Sequence, residues 1–126
     1  MTTLVQRAQQ FATKAHEGQL RKYTLDPYIH HPEAVAAIVQ TVSGHTKEQV
    51  AAAWLHDTVE DTDTTIEEIE QHFGKEVALL VSDLSDVSVA SDGNRATRKT
   101  IDRAHTAQAD VRSKTIKLAD LIHNSD

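Results

Sequence analysis

Apolar residues recur along the chain at the spacing of an amphipathic helix, and no segment shows the strict alternation of a half-buried strand. The apolar stripe of the first helix is Leu4, Ala8, Phe11, Ala12 and Ala15. The polar stretch that follows, residues 18–31, predicts a long loop. The pattern therefore predicts an all-α fold, a compact helical bundle formed by residues 1–126 as a single domain.

Capping residues indicate where the next two helices begin. Pro32 suits the first helical position of a second helix, which places His31 at its N-cap. Thr46 and Gln49 have the spacing of a capping box, in which the two side chains and their backbone N–H groups satisfy one another. They predict a third helix that runs to about Asp57.

Two further helices follow, separated by polar loops. Residues 60–64 predict an acidic loop, and Thr64 with Glu67 predicts a capping box for a short fourth helix that stops near Gly74. A fifth helix follows its apolar stripe through residues 77–87, and residues 88–93 predict the next loop.

The last two predicted helices have weaker apolar faces. Residues 94–108 form the sixth, and Asp110 caps the seventh. Their inward positions are Thr97, Ile101 and Ala104 in the sixth helix and Thr115, Leu118 and Ile122 in the seventh. The chain stops at Asp126 while the seventh helix is still needed, so we expect a further C-terminal helical segment.

Composition excludes several classes of protein. The formal net charge of −6 argues against broad electrostatic binding to nucleic acid, although a local basic pocket could still hold a small anion. The absence of cysteine excludes disulfides, Cys-ligated zinc and thiol nucleophiles. No apolar run is long enough to cross a membrane, and the first residues lack the regions of a secretory signal, so we expect a cytoplasmic protein.

Eight histidines in 126 residues draw attention to metal or proton chemistry. His56 and Asp57 end the third helix on its apolar side, and Asp120 interrupts a second apolar run. A carboxylate in such a place is unfavourable unless a positive group meets it. Taken singly, each residue could equally be a core histidine, a helix cap or a surface acid. Together with His31 they form a mixed nitrogen and oxygen set that suits Mn²⁺, Fe²⁺ or Zn²⁺.

Charged residues near this set have two interpretations. Glu60 and Asp61 could serve as a general acid/base pair beside the metal, or they could belong to a solvated acidic loop. Arg21, Lys22 and Lys99, the last within a basic cluster on the sixth helix, could contact substrate phosphates, or they could form ordinary soluble surface.

These residues stand in an order along the chain that is typical of one family of proteins. The segments are Arg21-Lys22, residues 27–32, residues 56–62, Phe73-Gly74, residues 116–120 and His123-Asn124. In this order and spacing the chain resembles HD-domain hydrolases of the RelA/SpoT type, and most closely their short stand-alone members, the small alarmone hydrolases. The combination of the pattern HDxxED with a downstream KLAD is far more specific than an isolated His-Asp pair, and the resemblance covers roughly residues 8–124.

The resemblance implies a helical HD bundle with one divalent metal ion, commonly Mn²⁺, bound by His31, His56, Asp57 and Asp120. It implies that Glu60 and Asp61 position and activate the attacking water. It also implies that Arg21 and Lys22 contact phosphates and that Asn124 orients the nucleotide. The implied partner is a small nucleotide, with no nucleic acid or membrane: guanosine tetra- or pentaphosphate would lose its 3′-pyrophosphate to give GDP or GTP.

Two other functions are compatible with the same residues. An HD-type phosphatase could act on another nucleotide, such as a deoxynucleoside monophosphate or the 2′-phosphate of NADPH, and would release orthophosphate. A degenerate HD domain could bind a nucleotide without turning it over. Departures from the family pattern at Asp26, at Leu121 and in residues 82–86 fall in substrate-facing regions and remove no metal ligand.

Overall fold

The computed structural model describes residues 3–21, 25–85, 90–107 and 109–124. Over these ranges the fold is all-α, which confirms the predicted fold class. The helices are α1 (Leu4–Ala15), α2 (His30–Gln40), α3 (Lys47–Leu55), α4 (Thr58–Asp61), α5 (Ile66–Phe73), α6 (Lys75–Leu84), α7 (Arg95–Ala107) and α8 (Val111–Asn124), with a 3₁₀ turn at Ala90–Asp92. None of the helices among the described residues has both the length and the apolar character needed to cross a bilayer.

Helix α3 forms the centre of the molecule. Residues 49–55 are all buried, and Ala51, Ala52 and Ala53 have no exposed surface. Such small side chains allow neighbouring helices to approach closely, and α3 packs against α1, α2, α6 and α8. A helix that is apolar on every side is stable only inside a core. The end of α3 is therefore held inside the bundle, and this is where His56 and Asp57 follow.

Local capping signals fix most of the helix boundaries. The Thr46–Gln49 capping box is confirmed: the Gln49 N–H donates to Thr46 Oγ1 at 3.1 Å, and the Thr46 N–H donates to Gln49 Oε1 at 2.9 Å. The predicted Thr64 cap is wrong by one residue, because Thr65 accepts the N–H of Glu68. Helix α5 ends beside Gly74, as predicted, where a φ of +96° favours glycine.

Helix α2 begins earlier than Pro32. The N–H of His31 already donates to the carbonyl of Tyr28 at 2.9 Å, and Ile29 is the N-cap. The prediction that His31 occupies the N-cap is therefore wrong. His31 lies inside the first helical turn and is 2% exposed, so its ring is directed into the bundle and not into a surface loop.

The predicted acidic loop at residues 60–64 is wrong over its first two residues, which belong to α4. The hydroxyl of Thr58 donates to the carbonyl of Leu55 at 2.7 Å, and the N–H of Asp61 donates to the carbonyl of Asp57 at 2.9 Å. The chain thus continues in a helical path after α3. A helix of one turn is too short to produce an apolar periodicity, which is why the sequence pattern missed it.

The inward faces of the last two helices also differ from the prediction. In α7, Thr97 and Ala104 are exposed, whereas Ile101 is half-buried. In α8, Leu118 is 59% exposed and Ile122 is 47% exposed. The buried residues of α8 are Ser113, Ile116 and Ala119. In this orientation Asp120 faces His31, and the hydroxyl of Ser113 donates to Asp83 of α6. Val87 and residues 88–89 of the prediction lie outside the described ranges.

Candidate metal centre

Four side chains converge between α2, α3 and α8. His31 comes from α2, His56 and Asp57 form the turn that follows α3, and Asp120 comes from α8. One ligand atom of each lies within 4.8 Å of the ligand atoms of the others. The imidazoles are almost fully buried, and the carboxylate side chains are 20% and 14% exposed for Asp57 and Asp120. The cluster therefore has a buried nitrogen side and a partly open oxygen side.

The Nε2 atoms of both histidines face the carboxylates. Nε2 of His31 lies 2.7 Å from Oδ1 of Asp120 and 3.8 Å from Oδ2 of Asp57. Nε2 of His56 lies 3.1 Å from the same Asp57 oxygen and 3.4 Å from the same Asp120 oxygen. Two nitrogens thus share two oxygens around one point, which is the arrangement of a four-donor site.

His56 provides the test of whether a cation fits. Its Nδ1 donates to the carbonyl oxygen of Ala53 at 2.6 Å, and a carbonyl can only accept, so Nδ1 carries a proton. Its Nε2 is buried and makes no hydrogen bond of acceptable geometry, although two carboxylate oxygens lie close by. A bare lone pair directed at two anions is unfavourable unless a positive charge lies between them. A divalent cation supplies that charge, so the residues fit a metal ion.

The acid–base properties of the cluster show the same need for positive charge, which a proton on Nε2 of His56 meets when no cation is bound. Burial by itself would lower the pKa of His56, but the negative charge of Asp57 and contacts with Asp120 outweigh it and raise the pKa to about 10. Burial would raise the pKa of Asp120, yet its interactions with His31 and His56 hold it well below its usual range. The pKa of Asp57 is also lowered, against the effect of burial, by His56 and by a hydrogen bond from Tyr28. Both carboxylates are therefore ionised and attract a cation.

Glu60 and Asp61 lie on α4, within one helical turn of Asp57. Both side chains are exposed. Oδ2 of Asp61 accepts a hydrogen bond from Nε2 of Gln19 at 3.4 Å. Oε1 of Gln19 is in turn 2.9 Å from Nδ1 of His16, which is 2% exposed. The α4 carboxylates thus lie on the solvent side of the cluster, and their catalytic role remains a prediction.

The structure adds contacts for two residues to which the sequence analysis assigned no role. Tyr28 donates to Oδ2 of Asp57 at 2.6 Å, and burial together with Asp57 and Asp61 raises the pKa of its hydroxyl. His123 places its Nδ1 2.7 Å from Nδ1 of His31. Two signals were present in the sequence: Tyr28 belongs to the segment that precedes His31, and His123 shares a helical strip with Asp120.

The predicted substrate contacts are less well defined than the four residues of the cluster. Arg21 lies in a turn closed by the bridge between Leu20 and Pro27, and its N–H donates to the carbonyl of Asp26 at 2.8 Å. Lys99 is exposed on α7, a helix whose main contacts are with α6 and the 3₁₀ turn. Lys22 and the side chain of Asn124 lie outside the described residues. All four assignments remain predictions.

Comparisons with known proteins agree with this geometry. The family model described as "HD domain" matches residues 8–125. The chain is 41% identical over 123 residues to guanosine-3′,5′-bis(diphosphate) 3′-pyrophosphohydrolase MESH1 of Xenopus tropicalis, covering 96% of this chain and 67% of that protein. It is 40% identical over 119 residues to the human protein of the same name, covering 93% of this chain and 65% of that protein. A probable GTP pyrophosphokinase of Mycobacterium leprae is 43% identical over 123 residues, covering 97% of this chain but 15% of that protein.

A solved structure has the same fold. It is described as a metazoan ortholog of SpoT that hydrolyses ppGpp and plays a role in starvation responses, and it matches with a TM-score of 0.83 and 31% identity. The match covers 98% of this chain and 69% of that one. The chain thus spans about two thirds of the metazoan relatives (67% and 65%) and a small part of the bacterial one (15%). Since the family model covers nearly its whole length and the His56-Asp57 doublet lies in the cluster, the chain belongs to the HD-domain family, a fold of metal-dependent hydrolases.

Proposed function

We propose that this protein is a metal-dependent phosphohydrolase that removes the 3′-pyrophosphate from guanosine 3′,5′-bis(diphosphate) alarmones. The observation that carries the proposal is the convergence of two imidazoles and two ionised carboxylates beside the exposed acids of α4. The substrate is supported by the names of the relatives, which are guanosine-3′,5′-bis(diphosphate) 3′-pyrophosphohydrolases over nearly the full length of this chain. The products are GDP or GTP and pyrophosphate.

One divalent ion is held by His31, His56, Asp57 and Asp120 in this proposal, and Mn²⁺ is the ion that the family resemblance favours. The two negative charges of the carboxylates balance the charge of the ion, and the two neutral imidazoles complete the donor set. When bound, a divalent cation acidifies water and offsets negative charge on phosphoryl oxygens.

The acids of α4 are assigned the transfer of the proton from the attacking water. Glu60 and Asp61 are outside the four-donor set and follow Asp57 within one helical turn, and in this proposal one of them accepts the proton of the attacking water. The water oxygen bonds to the phosphorus attached to the ribose 3′ oxygen, and the bond between that phosphorus and the 3′ oxygen breaks. The 3′ oxygen leaves with a proton, so one water is consumed and one pyrophosphate is released. Gln19 restrains Asp61 through its side-chain amide.

The substrate carries several negative charges, while the protein has a formal charge of −6. Positively charged side chains near the site are therefore needed to attract the phosphates of the substrate. Arg21 and Lys22 are assigned this role, with Lys99 as a further phosphate contact and Asn124 as the residue that orients the nucleotide. The position of Arg21 supports the assignment, because it lies two residues after Gln19, whose side chain contacts Asp61.

The test is product identification with metal-reconstituted protein. The protein is stripped with a chelator, reloaded separately with Mn²⁺, Fe²⁺ or Zn²⁺, and incubated with guanosine tetraphosphate, after which nucleotides are separated by anion exchange. We expect equimolar GDP and pyrophosphate, with the highest rate in Mn²⁺. If orthophosphate is released from NADPH or a deoxynucleoside monophosphate and no pyrophosphate is released from the alarmone, the substrate is that other nucleotide and not the alarmone. Nucleotide binding with no turnover of any of these compounds would overturn the enzymatic function.

A further inference from the structure

The two histidines of the cluster differ in what their second ring nitrogen contacts. In His56, Nδ1 donates to the backbone carbonyl of Ala53 at 2.6 Å. In His31, Nδ1 lies 2.7 Å from Nδ1 of another imidazole, His123. The rings of His31 and His123 are nearly coplanar, with centroids 4.9 Å apart and planes inclined by 27°. His31 is 2% exposed, so water has little access to replace this contact.

Proton placement follows from this geometry. A neutral imidazole has one N–H and one lone pair, so a histidine that ligates through Nε2 must carry its proton on Nδ1. A cation bound at Nε2 of His31 requires the ring proton to lie on Nδ1, directed at His123. Nδ1 of His123 can accept that proton only with its lone pair free, and His123 must then carry its own proton on Nε2. Without a cation, the carboxylate of Asp120, which can only accept, holds a proton on Nε2 of His31 at 2.7 Å instead.

We propose that His123 is a positioning residue that holds His31 in the Nδ1–H tautomer and thereby sets the affinity of the cluster for a divalent cation. The inference rests on the metal site of the proposed function, and it adds a residue outside the four ligands. His123 lies three residues after Asp120, on the same face of α8. Helix α8 therefore supplies one ligand directly and orients a second ligand that belongs to α2.

The contrast with His56 explains why this contact matters. A carbonyl oxygen can never donate, so Ala53 fixes the tautomer of His56 whatever occupies the site. An imidazole can donate or accept, so His123 supports ligation only in one of its two neutral tautomers. Replacing it by a residue without an acceptor leaves the buried Nδ1–H of His31 unsatisfied, which favours the tautomer that places the proton on Nε2 and blocks the cation.

The first test measures metal binding, not activity. Metal-free wild type, His123→Phe and His123→Asn are titrated with Mn²⁺ and with Zn²⁺ against a chromophoric chelator. The matched control is His45→Phe, because His45 is exposed and its Nδ1 contacts only the carbonyl of Val42 among the described bonds. We expect His123→Phe to bind roughly 10–100-fold more weakly than wild type. His123→Asn should remain close to wild type because its Oδ1 can replace Nδ1 as the acceptor, and His45→Phe should be unchanged.

Each outcome separates this inference from the proposed function. Equal binding by His123→Phe and wild type would overturn the inference and leave the metal site intact. Equal losses in His123→Phe and His123→Asn would also overturn it, because the acceptor would then not be the cause. Absence of metal binding by wild type would overturn the proposed metal site itself.

The second test uses unmodified protein and is independent of whether a variant folds. Ring ¹⁵N shifts of Zn²⁺-loaded wild type, recorded at mildly alkaline pH, report which nitrogen of each histidine carries the proton. We expect an Nδ1–H signal for His31 and a neutral Nε2–H tautomer for His123. A proton on Nδ1 of His123 in the loaded protein would contradict the proposed role.

Discussion

Tyr28 donates its hydroxyl proton to Oδ2 of Asp57 across 2.6 Å, and that oxygen lies 3.1 Å from Nε2 of His56. One carboxylate oxygen thus joins the loop before α2 to the end of α3. The ring of Tyr28 also contacts the rings of His16 and His31, with centroids 4.8 Å and 5.8 Å away. Tyr28 therefore contacts one proposed metal ligand, Asp57, through its hydroxyl and packs beside a second, His31, through its ring.

We expect Tyr28→Phe to weaken metal binding roughly 10–100-fold, because outer partners of metal ligands have effects of that size. Because the hydrogen bond goes to a charged acceptor, the free energy of unfolding should also fall by about 1–3 kcal/mol. Chelator competition and urea denaturation of the metal-free protein measure the two effects. Unchanged metal affinity in Tyr28→Phe would show that the hydroxyl does not orient Asp57.

Asp57→Ala should lose both bound metal and activity. The substitution removes one of two anionic donors and leaves the buried His56 with a single carboxylate neighbour, Asp120. Elemental analysis of purified protein provides the measurement. Asp63→Ala is a matched control, since Asp63 is an exposed acid of the same segment and should retain normal metal content. A normal metal content in Asp57→Ala would contradict the ligand assignment.

Glu60→Gln separates chemistry from metal binding. The side chain is exposed on α4 and is not one of the four donors, so metal content should stay at the wild-type level. Turnover should fall by roughly 10²–10⁴-fold, which is the usual contribution of a general acid or base. Glu67→Gln serves as the control, because Glu67 is an exposed acid in the first turn of α5. Full activity in Glu60→Gln would assign proton transfer to another group, with Asp61 the next to be tested.

The sequence predicted those parts of the molecule that depend on neighbours along the chain. The Thr46–Gln49 capping box and the stop beside Gly74 are local, and both are present. The position of Asp57 on an apolar stripe also indicated a carboxylate inside the bundle, and in the structure this carboxylate is mostly buried beside an imidazole. A carboxylate is placed there only when a positive group compensates it, and that constraint can be read without a structure.

Contacts made across the fold could not be predicted in the same way. Gln19 and Tyr28 reach α4 and Asp57 because a bridge between Leu20 and Pro27 folds their loop back, and no periodicity encodes that path. The face of α8 was predicted incorrectly because Leu118 and Ile122 outweigh its polar positions in any apolar count. In the structure, the rotation that exposes Leu118 is the one that turns Asp120 toward His31.

Ser113→Ala tests whether that rotation is held by polar contacts. Ser113 has no exposed surface, and its hydroxyl donates to Oδ2 of Asp83 at 2.8 Å, joining α8 to α6. Since the acceptor is charged, loss of the bond should lower the free energy of unfolding by about 1.5–3 kcal/mol. Thr115→Val is the control, because its hydroxyl donates only to the carbonyl of Val111 within α8 among the described bonds, and its loss should change stability little. Urea denaturation of both variants supplies the comparison, and chelator titration shows whether Asp120 has shifted. Equal stability of Ser113→Ala and wild type would mean that apolar packing of Ile116 and Ala119, not the hydroxyl, orients α8.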